Sequence, residues 1–437
     1  MLVPTARLIL LLTALLAVPP GCAGAVADAP LDVPLNAPIN ALGQRDKPYL
    51  VLVSIDGFRW DYPSLADTPA LDRMAAAGLK AEALQPVFPT QTFPNHFSIA
   101  TGLPPAQHGL VGNEFPDERR ARWYHYKDRA SVQDGDWYLA EPIWVTAARQ
   151  GMVTAAYYFV GTEAPVGGVR PDHWHAFDPG VTPERRVRQV LDWLAEPPAS
   201  RPHVITLYFE QVDDHSHWSG PGSAESLQAV RDVDRQLGVL LDGIGALPHG
   251  DEVYVLVVSD HGNAAYLPDR EPLVLDRLVD LDGVRAVEGG PFVHLYFPPG
   301  AGRRAAAARD TINAHWDCGR ALLPEDAPAA WNVTASLRFP DLIVLADSGC
   351  AVLSTPAMGH KITLGDHGWA PEAPEMRGIF YAVGPRIPPG SRAGVLRVTD
   401  IHPLMLSILG LEADRPPGNG AAAAPDPLSS LLLPATP

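Results

Sequence analysis

Asp56, Asp213, His217, Asp260, His261 and His367 are oxygen and imidazole donors placed after apolar runs or in glycine-rich turns. Donors of this kind are the common ligands of zinc. Asp213 and His217 are spaced so that one helical face or turn can carry both. His367 lies in Gly365-Asp366-His367-Gly368, where glycines let the backbone approach a site closely. These three make an Asp-His-His set. Asp56 with the adjacent pair Asp260-His261 makes a second. Sets of three ligands leave coordination positions open, the pattern of catalytic rather than structural zinc. Taken singly, each residue has an ordinary explanation: a strand-end His is usually just hydrogen-bonded, and a strand-end Asp often caps the next helix. The set as a whole is what points to metal. His215 competes with His217 as a ligand, and Asp366 is placed to support one. His96, His108, His173 and His175 read as structural or surface residues.

Thr92 is the candidate nucleophile. It stands in Phe88-Pro89-Thr90-Gln91-Thr92-Phe93-Pro94-Asn95-His96, just ahead of a helix-like run from Phe97 to Thr101, and Pro94 suits a first helical turn. Thr at such a place is first of all a favoured cap. The same geometry offers free N–H groups and a helix dipole to an alkoxide or a phosphate oxygen. A metal on the threonine oxygen would complete its activation. Asn113, in Gly109-Leu110-Val111-Gly112-Asn113, can donate an amide to a phosphate oxygen; its ordinary alternative is a left-handed turn.

The elements that must position these groups are legible as apolar runs. Tyr49 to Ile55 precedes Asp56, Val204 to Phe209 precedes Asp213, and Val253 to Ser259 precedes Asp260. Continuous β-branched runs suit strands of a parallel sheet buried on both faces. Helical spacing runs over 68–80, 183–196 and, longest, 223–242. The alternation predicts an α/β, doubly wound, mostly parallel sheet with helices on both faces. Ligands bind at the carboxyl ends of strands in such sheets, where the acidic residues fall. Residues 283–355 carry a further strand–helix–strand pattern and read as a small inserted subdomain. The division expected is 1–27 signal peptide, 28–47 linker and 48–437 catalytic domain.

Arg7, the apolar run Leu8 to Val18, too short to span a bilayer, and the small residues Ala23 to Ala27 read as a secretory signal; an uncleaved anchor is the alternative. Periplasmic or secreted export follows. Cys22 is a candidate lipid-attachment residue, in a poor context after Pro19-Pro20-Gly21. Cys318 and Cys350 remain in the mature chain. Two cysteines in an exported protein usually pair; two buried thiols are the alternative. The formal net charge of −17, with no basic stripe, argues against a nucleic-acid duplex as partner. It does not argue against a small phosphate substrate, because bound metal reverses the local sign.

These motifs resemble the nucleotide pyrophosphatase/phosphodiesterase family of the alkaline phosphatase superfamily, especially its bacterial members. The resemblance runs from about Tyr49 to Gly420. Ser54-Ile55-Asp56-Gly57-Phe58-Arg59, Pro89 to His96, Thr101 to Asn113, Glu210 to Pro221, Ser259-Asp260-His261-Gly262 and Gly365 to Gly368 match the family's motifs in order. The resemblance implies an alkaline phosphatase-like fold and two zinc ions. One would be held by Asp56, Asp260 and His261 and activate Thr92. The other would be held by Asp213, His217 and His367. It further implies a phospho-threonine intermediate, a phosphate contact from Asn113, and a nucleotide base held between Phe93 and Tyr208. The family disulfide falls on Cys318 with Cys350. The implied substrate is a nucleotide phosphodiester or pyrophosphate, cleaved to a nucleoside monophosphate; phospholipid- or choline-type diesters are the alternative. A zinc-stabilised binding protein without turnover is the reading from another class, and the intact nucleophile and ligand set argue against it. Tyr158 to Glu163, Phe115-Pro116-Asp117, Asp366 and Trp369 depart from the family's usual pattern. They bear on substrate rather than on chemistry.

Overall fold

The computed structural model describes residues 38–413. The expected signal segment, the first part of the expected linker and the chain beyond residue 413 lie outside the described residues. Residues 38–47, read as linker, lie against the body of the protein. Buried Asn40 donates from Nδ2 to the carbonyls of Pro198 and Arg201 and accepts from the Val153 N–H.

The main sheet has eight strands: β1 (Tyr49–Ile55), β2 (Leu79–Gln85), β3 (Thr154–Tyr157), β4 (His173–Trp174), β5 (Val204–Phe209), β6 (Val253–Val258), β7 (Phe380–Val383) and β8 (Ser391–Arg397). Their spatial order is β8-β2-β7-β6-β1-β5-β3-β4. β1 pairs in parallel with both β5 and β6, and only β7 runs against its neighbours. The longer helices are α1 (Pro69–Ala77), α2 (Thr92–Thr101), α3 (Pro183–Leu194), α4 (Gln211–Ser219), α5 (Ala224–Gly245), α6 (Gly302–His315) and α7 (Ile401–Leu409).

The unbroken apolar runs are explained by cover on both faces. Leu50 and Leu52 of β1 join the core formed with α2, α7 and the short helix Ile143–Arg149. Val51, Val53 and Ile55 join the core formed with α1, α3 and α5. β6 divides the same way, with Leu256 and Val258 on one face and Val255 and Val257 on the other. Burying each such side chain contributes about 1.5–3 kcal/mol. The fold is thus the doubly wound α/β arrangement expected.

The helix expected over 68–80 stops at Ala77. At Gly78 a Cβ would stand 2.1 Å from the Ala382 carbonyl oxygen. A side chain at Gly78 would not fit against that backbone, and Leu79 opens β2 at once. Within 283–355 a separate antiparallel sheet runs in the order Arg285–Glu288, Phe292–Tyr296, Leu342–Ala346 and Gly319–Leu322, with α6 packed on it. Cys318 and Cys350 form a disulfide.

Candidate active site

α2 begins at Thr92, with Gln91 as its extended N-cap. The loop before it is built by buried Asn95. Its Oδ1 accepts from the Val87 N–H, and its Nδ2 donates to the carbonyls of Pro89 and Gln91. Asn113 is tied to the same turn. Its backbone N–H donates to Gln91 Oε1, and its side-chain Oδ1 accepts from the Phe93 N–H at 3.0 Å. That leaves the Asn113 Nδ2 group as the donor for a further partner.

Around Thr92 the structure gathers residues from separate strand ends. Asp56 follows β1 directly, Asp260 and His261 follow β6 closely, and α4 after β5 carries Asp213 and His217. His367 follows the short strand Gly365–Asp366. Thr92 Oγ1 lies 3.4 Å from His261 Nε2. The same nitrogen is 3.1 Å from Asp260 Oδ2 and 3.5 Å from Asp56 Oδ1. His217 Nε2 is 3.2 Å from Asp213 Oδ2. The rings of His261 and His367 stack at 3.8 Å and join the two sets. The ligand atoms lying closest together therefore cut across the sets drawn from spacing: Asp213 with His261 and His367, His217 with Asp366 and His367, and Asp56 with His96 and Asp260.

Three histidines are oriented alike. Nδ1 of His217 donates to the Gly365 carbonyl, that of His261 to the Gly262 carbonyl and that of His367 to the Thr90 carbonyl. A carbonyl only accepts, so each Nδ1 carries a proton and each Nε2 is the nitrogen turned into the cluster, the one a metal would take. His96 differs. Its Nδ1 donates to the Thr92 carbonyl and its Nε2 takes the Ser54 hydroxyl at 2.8 Å, so both nitrogens are engaged. It is a buried brace, with Nδ1 3.2 Å from Asp260 Oδ2. From the sequence alone His96 is expected among structural or surface residues. Its position one helical turn after Thr92 is the signal that places it here. His108, by contrast, serves α2 internally, against Ser98 Oγ and the Pro94 carbonyl.

The electrostatics fit a cation. Burial, then Asp260 and Asp213, push the Asp56 carboxyl far above its usual range. Burial, then Asp213, do the same to Asp260. Burial also acts to raise Asp213, but His217, His367 and His261 outweigh it and hold this carboxyl low. For His217, burial opposes the proton, yet Asp213 and then Asp366 lift it to about 10. Burial and then His367 hold His261 well below the usual imidazole value. Asp56 Oδ1 and Asp260 Oδ2 are buried without any hydrogen-bond partner. Crowded carboxylates with orphaned oxygens, facing imidazole Nε2 atoms, are the donor set that a divalent metal satisfies.

Other positions depart from simple expectation. Tyr208 directs its hydroxyl to Asp56 Oδ2 at 2.6 Å. The ring of Phe177, 40% exposed, stands edge-on to Tyr208. Glu163 accepts from the Phe177 N–H and so fixes that loop. Trp369 is buried and donates to the Cys350 carbonyl, tying the His367 turn to the disulfide.

A threonine at a helix start, ringed by carboxylates and imidazoles at the carboxyl ends of a mostly parallel sheet, defines an alkaline phosphatase-like α/β protein. The family model described as type I phosphodiesterase / nucleotide pyrophosphatase matches residues 50–370. The chain belongs to that family. It is 32% identical over 377 residues to the Bos taurus bis(5'-adenosyl)-triphosphatase, covering 85% of this chain and 80% of that one. It is 29% identical to ectonucleotide pyrophosphatase/phosphodiesterase family member 1 of Mus musculus, over 84% of this chain but only 41% of that one. Among solved structures, the murine family member 5, as an inactive variant in complex with AMP, superposes with a TM-score of 0.79 at 26% identity, covering 86% of this chain and 98% of that one. The human family member 5 gives a TM-score of 0.80 at 26% identity, over 88% and 99% of the two chains.

Proposed function

We propose that this chain is an exported two-zinc hydrolase that cleaves nucleotide phosphodiester or pyrophosphate bonds and releases a nucleoside monophosphate. The observation that carries the reading is the convergence on Thr92. Its hydroxyl starts α2 and sits 3.4 Å from His261 Nε2, within a cluster whose buried carboxylate oxygens lack partners. Family membership and the AMP complex of the murine relative support the substrate class.

Asp56, Asp260 and His261, with Thr92, would hold one ion, and Asp213, His217 and His367 the other. When bound, zinc supplies Lewis-acid stabilisation of the attacking and leaving oxygens. Thr92 Oγ1 would give up its proton and attack phosphorus; the bond from phosphorus to the leaving oxygen breaks with its electron pair on that oxygen, which takes up a proton, and a phospho-threonine ester forms. Water then attacks phosphorus, restoring Thr92 and releasing the monophosphate. Asn113, held through Oδ1 by the Phe93 N–H, directs Nδ2 to a non-bridging oxygen. The first N–H groups of α2 favour the same charge. Phe93 and Tyr208 flank the base, with the exposed ring of Phe177 beside Tyr208. Stacking of this kind tolerates different bases.

The test is a parallel rate comparison on zinc-loaded protein with thymidine monophosphate nitrophenyl ester, nitrophenylphosphocholine and nitrophenyl phosphate. The nucleotide diester is expected to be cleaved fastest. Preference for the choline ester would leave Thr92 and the metal sites in place but move the substrate to phospholipid-type diesters.

A further inference from the structure

Tyr208 is the residue whose sequence reading and surroundings differ most. From the resemblance it is a platform for a base. In the structure its hydroxyl donates to Asp56 Oδ2 at 2.6 Å. The other oxygen, Oδ1, is buried without a hydrogen-bond partner and faces His261 Nε2 at 3.5 Å. The carboxylate is thus divided, one oxygen engaged by the phenol and the other turned into the cluster. Tyr208 is itself held on several sides. In the parallel pairing of β1 with β5 it sits opposite Ser54, so its side chain reaches past the strand end to Asp56. Its carbonyl accepts from Arg186 Nη1 at 2.9 Å. The His96 ring meets its ring edge-on at 5.3 Å.

We infer that Tyr208 is a positioning residue for the metal centre: its hydroxyl fixes Asp56 so that Oδ1 alone is presented to the ion beside Thr92. The inference rests on the metal reading of the site and deepens it. A ring that only stacked on a base would need no hydroxyl. A hydroxyl that orients a ligand acts on metal affinity whether or not substrate is present, and partners of ligands typically account for about 10–100-fold in affinity or activity.

The experiment is Tyr208→Phe, which keeps the ring and removes the donor, beside Tyr208→Leu, which removes both. Zinc dissociation constants are measured by chelator competition without substrate, with the visible spectrum of the cobalt-substituted protein and separate kcat and KM values on a nucleotide diester. For Tyr208→Phe the expected result is about 10–100-fold weaker binding of one of two ions, an altered cobalt spectrum and a lower kcat. Its KM stays within about twofold of wild type, and only Tyr208→Leu raises KM as well. Unchanged zinc affinity and cobalt spectrum in Tyr208→Phe would overturn the inference while leaving the metal reading intact. So would a raised KM with unchanged kcat and affinity. A wild-type protein that takes up no zinc would overturn the metal reading, and this inference with it.

Discussion

Gly57 follows Asp56 with φ +63°, and a Cβ there would stand 2.6 Å from Asp213 Oδ1 and 2.5 Å from Asn263 Nδ2. Asn263 in turn donates to the Gly57 carbonyl. Gly57→Ala adds both backbone strain and a clash inside the cluster. It is expected to lower stability by about 1–3 kcal/mol and to weaken zinc binding. Denaturant midpoints and chelator competition measure the two effects; wild-type values for both would show that the site has room there. At this scale the sequence revealed the candidate ligands, because Asp and His at strand ends announce themselves by type. It did not reveal the partners. The Tyr208 hydroxyl meets Asp56 across 152 residues of chain, and nothing local to either residue reports that contact. His96 was legible in principle, since its spacing from Thr92 is that of one helical face.

α2 places Thr92, and Asn95 places α2. Asn95→Ala removes the hydrogen bonds that hold the Val87–Gln91 loop. The backbone groups left behind are partly or fully buried, so a stability loss of about 1–3 kcal/mol is expected together with a fall in kcat. A variant with normal kcat would mean that the loop holds its shape without Asn95. The long buried strands β1, β5 and β6 were readable because their apolar runs are continuous and end in acidic residues. The strands Leu79–Gln85 and Phe380–Val383 were not. The first begins without a break after a helical pattern at Gly78. The second is short, and its place in the sheet comes from pairing with distant β2 and β6. The His367 turn is secured through Trp369 and the carbonyl of disulfide-bonded Cys350. Replacing both cysteines by alanine is expected to cost about 2–4 kcal/mol of stability, read by thermal melting under oxidising conditions. An unchanged melting temperature would remove the disulfide from this account.

For the whole molecule, the buried carboxyls and imidazoles of the cluster make stability depend on pH. Asp56 and Asp260 hold their protons more tightly folded than unfolded. Their contribution to stability is therefore present at low pH and is lost as pH rises through their folded values. His217, lifted to about 10, likewise contributes below its folded value and loses that contribution above it. Asp213 has the opposite sign, but its contribution is complete above the ordinary carboxylate range. On the proposed two-zinc reading, zinc would compete with the protons on Asp56, Asp260 and His217, so a rise in melting temperature produced by zinc is expected to grow from pH 5.5 to pH 8. A zinc effect that does not vary with pH would contradict this assignment of the protons. Whether this metal-type cluster serves Thr92 is decided by Thr92→Ala, with activity and zinc content measured on the same sample. Hydrolysis of a nucleotide diester is expected to fall by about a thousandfold or more while the protein stays folded and still binds zinc. A Thr92→Ala protein that binds zinc and hydrolyses the diester at the wild-type rate would contradict that role for the cluster.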